Sequence, residues 1–389
     1  MTEYREPREE ERPQIADLVT VALQPAPGWA AEVVPSLPLE EFLCAFEGPR
    51  MVACTRSIPA RQWFGGQPIP MAGISMVATA PEHRGKGIVT EAMRRLLVQE
   101  RERGAPISAL YPATVPLYRR LGYEYGGVYT EYTAPIGELP RGEAGRVEVF
   151  EGDDFGELKA CYRRVAPDHN GWVDADDDDW WRLRVLRRWG EAASRAVVVP
   201  GREGIEGYAS FVKETIHRWR HRLVCQHLVA ETPDALAALL GYFRRFRSIA
   251  EELTWRGGPT EPLALAFPEQ SMRQTFAFRF MVRLLDVPAA LEARGYPEVD
   301  GEAVVAVTDD LFPSNEGAFR LVAESGKVRV EPSEGGGRPL SIGHLSSLFA
   351  GHVSPADLVR VGELDRDDPG IPFLTRLFAG SPPWATDFF

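Results

Sequence analysis

The sequence has few cysteines, no long apolar run and no excess of positive charge. Its four cysteines, Cys44, Cys54, Cys161 and Cys225, are scattered and include no Cys-x-x-Cys pair, which argues against a disulfide framework or a zinc site. No apolar stretch approaches the roughly 20 residues that cross a bilayer. The charged N-terminus lacks the apolar core of a signal peptide. These absences predict a cytoplasmic protein with no membrane partner.

The charge balance also narrows the choice of partners. The 389 residues carry a formal net charge of −12. A nucleic-acid partner would require a basic face, so the charge argues against one. An acidic protein would instead concentrate a cationic substrate such as an amine. With 44% apolar and 26% charged residues, the chain has the composition of a globular protein, and its length predicts two or three domains.

Two clusters invite comparison with metal sites. Residues 174–179 are rich in aspartate, but they lack the spaced Asp-x-Asp-x-Asp-Gly pattern and the distal glutamate of a calcium loop. Acids in front of a helix ordinarily stabilise its N-terminus, and we predict such a helix over residues 182–189. His217 and His221 lie in a segment typical of a hairpin arm, where residues four apart are too distant to share an ion. We therefore predict no metal.

The strongest chemical signal lies between Met76 and Tyr125. Residues 73–78 predict an apolar strand, and residues 89–103 carry apolar side chains at helical spacing. A basic turn with Gly85 and Gly87 separates the two elements. Such a turn can bind an anion, because the first N–H groups of a helix lack partners and the helix dipole adds positive potential.

This turn differs from two common nucleotide loops. It lacks the Gly-Lys-Ser/Thr ending of a triphosphate loop and the Gly-x-Gly-x-x-Gly pattern of a dinucleotide site. It resembles the acyl-CoA loop of the GCN5-related N-acetyltransferases, Arg/Gln-x-x-Gly-x-Gly/Ala. Val89 departs from the small residue expected last, which tightens the loop but removes no amide. The resemblance implies acetyl-CoA as co-substrate, bound by Met76, Val77, Thr79, Arg84, Gly85, Lys86, Gly87, Ile88 and Val89.

The second half of the stretch strengthens this resemblance. Residues 108–112 predict a strand, and a short helix precedes Gly122 and Tyr123. In the same family, a Phe-Tyr-x-x-x-Gly-Phe segment places a tyrosine hydroxyl beside the departing thiolate of CoA. Tyr118 takes that position here. Tyr118 and Tyr123 could both be ordinary core aromatics; we expect this of Tyr123 and predict a catalytic role for Tyr118.

The chain divides into three predicted domains. Residues 1–145 fit an α/β acetyltransferase domain with the CoA loop, including helices predicted over residues 13–23 and 37–46. Residues 146–285 repeat the strand–turn–helix pattern at Thr232 and Pro233, without an arginine or a glycine pair in the turn, which predicts a degenerate unit without a CoA loop. Residues 286–389 alternate helices and strands as an α+β domain. We predict an α/β (α+β) fold with two tandem acetyltransferase-like units.

This organisation resembles the enhanced-intracellular-survival (Eis) acetyltransferases over essentially the whole chain. The likeness rests on residues 77–89 and 111–125, on Arg283-Leu-Leu-Asp-Val, and on the ending Pro383-Trp-Ala-Thr-Asp-Phe-Phe. It implies a sterol-carrier-like C-terminal domain, a homo-hexamer, and acetylation of small-molecule amines that include several positions of aminoglycosides. It also implies that the C-terminal carboxylate of Phe389 is the general base and that Tyr118 is the general acid.

Both implied roles fit the chemistry of amine acetylation. An amine at neutral pH is protonated and must lose a proton before it attacks a thioester. Burial would raise the low reference pKa of a terminal carboxylate toward a useful range. Two alternatives remain open. The substrate could be a protein lysine or a polyamine, or the chain could be a non-catalytic protein that binds a lipid or a small molecule. The loop and Tyr118 together argue against the second.

Overall fold

The computed structural model describes residues 2–142, 144–152, 154–184, 194–267 and 269–388. The first part of the chain builds six strands among these residues: β1 (Glu3–Arg5), β2 (Phe42–Glu47), β3 (Arg50–Phe64), β4 (Gln67–Thr79), β5 (Ile107–Leu110) and β6 (Glu124–Pro135). Its α-helices are α1 (Arg12–Leu23), α2 (Trp29–Val33), α3 (Ile88–Glu102) and α4 (Val115–Arg119).

The middle part of the chain contributes a second set of strands and helices. The strands are β7 (Glu148–Val149), β8 (Val173–Asp174), β9 (Arg195–Pro200), β10 (Ile205–His217), β11 (Arg220–Ala230), β12 (Ala250–Gly257) and β13 (Arg273–Leu284). The helices are α5 (Gly156–Val165), α6 (Asp178–Arg184) and α7 (Pro233–Arg244).

The last part of the chain forms a separate small sheet with helices. Its strands are β14 (Gly301–Thr308), β15 (Gly317–Glu324), β16 (Lys327–Ser333) and β17 (Leu340–Ser341), in the order β16-β15-β14-β17. The helices are α8 (Val287–Ala293), α9 (Ile342–Ala350), α10 (Pro355–Arg360) and α11 (Ile371–Leu377).

The first two parts of the chain share one sheet. Within the described residues its order is β1-β2-β3-β4-β5-β13-β6-β12-β11-β10-β9-β7, with β8 paired to β3. Strand β13, which is late in the sequence, lies between β5 and β6, opposite Leu110 on one side and Gly127 on the other. Strand β6 also pairs with β12. The sheet half that carries β4 and β5 is therefore completed by residues more than a hundred positions later in the chain.

Most predicted elements are confirmed. Helix α3 matches the predicted helix over residues 89–103 to within one residue at each end, and α1 covers that over residues 13–23. The segment around His217 and His221 forms the predicted hairpin of β10 and β11. Thr232 caps α7 through a hydrogen bond from the N–H of Ala235, at 3.1 Å, which is an ordinary N-cap without the glycine pair of the first unit.

Two predicted helices need correction. Residues 37–46 do not form a helix, because after one short turn the chain becomes β2, which pairs with β3 and β1. Its apolar side chains are buried on both faces, and such a run does not show the alternation that identifies a strand. The helix predicted over residues 182–189 begins earlier, at Asp178, because Asp177 caps the N–H of Trp180. Residues 185–189 lie outside the described residues.

No helix in the described ranges has both the length and the apolarity needed to cross a membrane. Across the same ranges, no group of three or more His, Cys, Asp or Glu side chains is placed to hold a metal ion.

Candidate active site

Strand β4 carries an irregularity where the acyl-CoA site was predicted. The register of β4 against β3 shifts between Cys54 and Arg56, so Met76 and Val77 together stand opposite a single residue of β3. Met76 has a left-handed backbone, with φ of 49°. Two residues opposite one define a β-bulge, which takes a backbone group out of the regular ladder. The bulge thus leaves one residue of β4 without a ladder partner close to the loop.

The strands next to the bulge diverge. Parallel pairing of β4 with β5 ends at Ile74 and Leu110. Strand β4 continues to Thr79, whereas the chain leaves β5 at Tyr111 and Pro112. This divergence opens a wedge at the carboxyl ends of two parallel strands, which is where open α/β sheets generally bind ligands.

The glycine loop closes one end of this wedge. Gly85 and Gly87 have φ values of 77° and 78°, which glycine adopts without strain. Apart from the directly adjacent residues, no atom lies within 4 Å of the position that a Cβ would occupy on either residue, so the space above the loop is open. Gly87 is the N-cap of α3 and has no side chain to bond the first-turn N–H groups. These N–H groups therefore have no capping side chain as a partner, and they face the wedge.

The wedge and the loop enclose a cavity of about 780 Å³. Its lining includes Val77, Thr79, Arg84, Gly85, Gly87, Ile88 and Val89 from the predicted site, together with Tyr118. Arg94 and Arg120 also line it, against one acid, Glu91. Although the protein is acidic overall, this cavity is basic. A basic cavity at a helix N-terminus suits a phosphorylated ligand.

Two predicted cofactor residues do not line the cavity with their side chains. The side chain of Met76 is buried in the apolar cluster that packs around α1 and α2, so only its main chain is available to the wedge. Lys86 is exposed, and its Nζ lies 3.4 Å from Nδ1 of His83. Arg84 lines the cavity while its guanidinium donates to the carbonyl of Ala22, at 3.2 Å.

Tyr118 lies on α4 at the wall of the cavity. Its side chain is 4% exposed, and burial raises the pKa of its phenol to about 12. Its hydroxyl makes no hydrogen bond with the described part of the protein, whereas the hydroxyl of Tyr123 lies 2.7 Å from Oγ of Ser108 inside the core. Tyr123 is thus an ordinary core aromatic, as expected. Tyr118 combines a cavity position with a phenol that keeps its proton, which is what a general acid requires.

The C-terminal segment docks against Tyr111, which shortly precedes the cavity-lining residues Ala113 and Thr114. Phe389 lies outside the described residues, but the residues before it run along β6, where Val128 bonds to Pro383 and Ala385 through its N–H and C=O. The hydroxyl of Tyr111 donates to the carbonyl of Asp387 at 2.6 Å. The ring of Phe388 stacks on Tyr111 with centroids 4.3 Å apart.

Residues that the sequence interpretation missed connect the tail to the cavity. Tyr111 directly follows β5, and Ala113 and Thr114 of the same connection line the cavity. No local motif marks Tyr111, because its partner is 276 residues away. Arg94 could have been found, since it lies seven residues, or about two helical turns, after Gly87 and therefore on the same face of α3.

Comparison with known families agrees with this geometry. Residues 3–126 match the acetyltransferase (GNAT) domain, and residues 171–284 match a second family of that description. Residues 287–386 match the sterol carrier protein domain. The predicted fold class is therefore confirmed, with two GNAT domains and a sterol-carrier-like C-terminal domain.

Whole-chain relatives lead to the same family. An uncharacterized N-acetyltransferase of Streptomyces avermitilis is 31% identical over 376 residues, which cover 89% of this chain and 88% of the relative. The N-acetyltransferase Eis of Mycobacterium tuberculosis is 28% identical over 342 residues, or 82% of this chain and 81% of Eis. The crystal structure of a GCN5-related N-acetyltransferase from Anabaena variabilis has a TM-score of 0.94 at 29% identity, with both chains covered fully. The chain thus belongs to the GCN5-related N-acetyltransferases, the enzyme family that includes Eis.

Proposed function

We propose that this N-acetyltransferase transfers the acetyl group of acetyl-CoA directly to primary amines of aminoglycoside-type polyamines. The observation that carries the proposal is one cavity that holds both the glycine loop and Tyr118. Enzymes of this family use acetyl-CoA, and the cavity suits it. The open space above Gly85 and Gly87 allows a pyrophosphate to approach the first-turn N–H groups of α3. Arg94 and Arg120 supply compensating charge.

In this mechanism the protein's own groups move two protons. The carboxylate of Phe389 accepts a proton from the substrate ammonium group, so that the neutral nitrogen can form its bond to the acetyl carbon. The nitrogen then gives a second proton to water, which leaves a neutral amide. A main-chain N–H at Met76 or Val77 stabilises the oxygen on which negative charge develops. As the carbon–sulfur bond breaks, Oη of Tyr118 gives its proton to the sulfur. Exchange with solvent then returns both residues to their starting forms.

Much of the rate enhancement comes from holding the amine and the thioester of acetyl-CoA close together. The described tail supports this part of the proposal, because Asp387 and Phe388 lie against Tyr111, at the start of the connection that lines the cavity. The rings of Tyr129, Phe276 and Phe278 surround the same place. Aromatic faces attract an organic cation, which supports a polyamine substrate.

The test is CoA release from acetyl-CoA with a panel of aminoglycosides, polyamines and lysine peptides. We expect turnover on aminoglycosides, reduced about 100-fold in a variant that lacks Phe388 and Phe389. The variant should still bind acetyl-CoA. Turnover restricted to lysine peptides or to simple polyamines would favour the alternative amine substrates. Binding of acetyl-CoA with no turnover on any amine would favour the binding-protein alternative.

Substitution of the loop tests the acetyl-CoA site separately. Gly87→Ala places a methyl group in the open space above the loop and forces alanine into a left-handed backbone, which costs about 1–2 kcal/mol. We expect the KM for acetyl-CoA to rise about tenfold, with kcat at saturation little changed. Gly48→Ala is the matched control, because Gly48 has a φ of 61° and equally open space in the turn after β2. Equal KM values in the two variants would contradict the assignment.

The family resemblance also supports a cytoplasmic homo-hexamer as part of the same proposal. Sedimentation equilibrium of the 43.3 kDa chain would measure its oligomeric state. A monomer at micromolar concentration would contradict this part.

A further inference from the structure

A buried histidine–aspartate pair joins the tail to the second unit. Nε2 of His227, on β11, lies 3.0 Å from Oδ1 of Asp387. The side chains of these two residues are 0% and 1% exposed. Neither residue belongs to the glycine loop or to the residues that line its cavity, and they are 160 positions apart in the sequence.

The surroundings of the pair hold both groups in one arrangement. Nδ1 of His227 lies 3.3 Å from the hydroxyl of Tyr208. Oδ2 of Asp387 accepts the hydroxyl of Thr386 at 2.6 Å, and the guanidinium of Arg256 donates to the carbonyl of Thr386. Burial works against the charge of Asp387, but attraction and a hydrogen bond from His227, with Arg256 nearby, bring the pKa of this carboxyl below its usual value. Both carboxylate oxygens of Asp387 therefore have hydrogen-bond partners, His227 and Thr386.

The main chain of Asp387 is held from the other unit. Its carbonyl accepts the hydroxyl of Tyr111 at 2.6 Å, and Tyr111 directly follows β5. One residue, two positions before the chain terminus, thus bonds to β11 through its side chain and to the end of β5 through its backbone. Residues at a chain terminus are usually poorly ordered unless they are tied down. Here the attached group is the buried carboxylate of Asp387. It has few alternative positions, because an unpaired buried charge is strongly unfavourable.

We propose that His227 and Asp387 form an anchor that positions the C-terminal carboxylate for acetyl transfer. The second unit, which has no CoA loop, then has a defined role: it holds the tail that completes the active site of the first. His227 and Asp387 are positioning residues and do not touch the reacting atoms. This inference rests on the proposed function, in which the carboxylate of Phe389 is the base.

The contacts give a reason to expect a catalytic effect beyond stability. Loss of the pair frees Asp387 from β11 while the glycine loop and Tyr118 keep their own supports in α3 and α4. A displacement of about 1 Å in a catalytic group can reduce the rate by about 100-fold. Acetyl-CoA binding should be unaffected, since its cavity shares no lining residue with the anchor.

The test combines two measurements on Asp387→Asn, His227→Gln and the double variant. The first is the steady-state kinetics of acetyl transfer to an aminoglycoside. We expect kcat to fall between about 10- and 100-fold, with the KM for acetyl-CoA within about twofold. The double variant should be no worse than either single variant, because both changes break the same interaction. The second measurement is the rate at which carboxypeptidase releases the terminal phenylalanine, which should rise at least about tenfold as the tail undocks.

Exposed residues of the same types provide the controls. Asp365→Asn and His217→Gln alter the same chemical groups at exposed positions away from the tail, and both should match the wild type in kcat and in release rate. A thermal melt of each variant identifies a loss of folding. Should Asp387→Asn fail to fold, Thr386→Val removes one hydrogen bond to the carboxylate and still tests the release rate.

The outcomes separate this inference from the proposed function. Faster release with an unchanged kcat would overturn the positioning role, and unchanged release would overturn the anchor itself. A loss of acetyl-CoA binding in step with kcat would show a general structural defect and would equally overturn it. If the variant lacking Phe388 and Phe389 keeps full activity, the proposed base is wrong, whatever the release rate of the anchor variants.

Discussion

Replacing Tyr118 by phenylalanine should lower kcat for acetyl transfer by about 1,000-fold, within the range of about 10²–10⁴ that a general acid contributes. The change removes one oxygen from a side chain that is 4% exposed and whose hydroxyl has no partner in the described part of the protein. The fold should therefore be unaffected. Without the phenolic proton the sulfur must leave as a thiolate, so the loss should appear in kcat and not in the KM for acetyl-CoA.

The neighbouring tyrosine supplies the control. The ring of Tyr123 lies 6.0 Å from that of Tyr118 in the same apolar cluster, but its hydroxyl bonds to Ser108. Tyr123→Phe should lose about 1 kcal/mol of stability and keep its kcat. Equal effects of the two substitutions on kcat would contradict the role of Tyr118 as an acid.

The pH dependence of kcat gives a second check on the same residue. Because burial raises the pKa of Tyr118 to about 12, the acid form persists to roughly pH 11. The wild type should therefore show no loss of kcat from ionisation of Tyr118 below that pH. A decline of kcat centred near pH 10, absent in Tyr118→Phe, would show that the phenol ionises as if it were exposed.

The parts of the site that the sequence predicted are those formed by neighbours along the chain. The loop over Arg84–Val89 and the helix that follows it depend on glycine, a helix N-terminus and apolar spacing, all of which are local. Tyr118 could be proposed because it has a fixed separation from that loop in the family pattern. The structure then brings Tyr118 into the same cavity as the loop.

What the sequence could not predict depends on partners that are distant along the chain. Insertion of β13 between β5 and β6 is set by tertiary pairing, and no turn or periodicity in residues 273–284 indicates which strands it will join. The anchor of the tail could not be predicted for the same reason, since nothing in the sequence indicates that His227 and Asp387 will come into contact. Residues 37–46 show the limit at shorter range, because burial on both faces removed the alternation of a strand.

One sequence motif gains its explanation only from this packing. Arg283, the first residue of the Arg-Leu-Leu-Asp-Val run, lies at the end of β13, and its Nη2 is 2.7 and 2.9 Å from the two carboxylate oxygens of Asp309. The same guanidinium donates to the carbonyl of Leu121, just before the turn at Gly122. Asp309 follows β14, in the C-terminal domain. The run therefore joins that domain to the turn that follows α4 in the acetyltransferase domain.

We expect Asp309→Ala to lower the free energy of unfolding by about 3–5 kcal/mol, since removing one member of a buried pair leaves the other charge uncompensated. The side chains of Arg283 and Asp309 are each 1% exposed. Equilibrium denaturation in urea, followed by far-UV circular dichroism, measures the change. Asp310→Ala is the matched control, because Asp310 is the adjacent acid and is exposed. A similar loss in both variants would show that the buried pair contributes nothing specific.

A double variant separates the charge from the packing. Replacing a buried ion pair by apolar residues of similar volume is often neutral or stabilising, because neither charge then has to be desolvated. Arg283→Met with Asp309→Leu should therefore unfold closer to the wild type than Asp309→Ala alone. Any stability that the double variant still lacks relative to the wild type measures the lost hydrogen bonds between Arg283 and Leu121 and between Asp309 and Asn315. If the double variant is as unstable as Asp309→Ala, the stability of this contact between the two domains comes from those neutral hydrogen bonds and not from the paired charges.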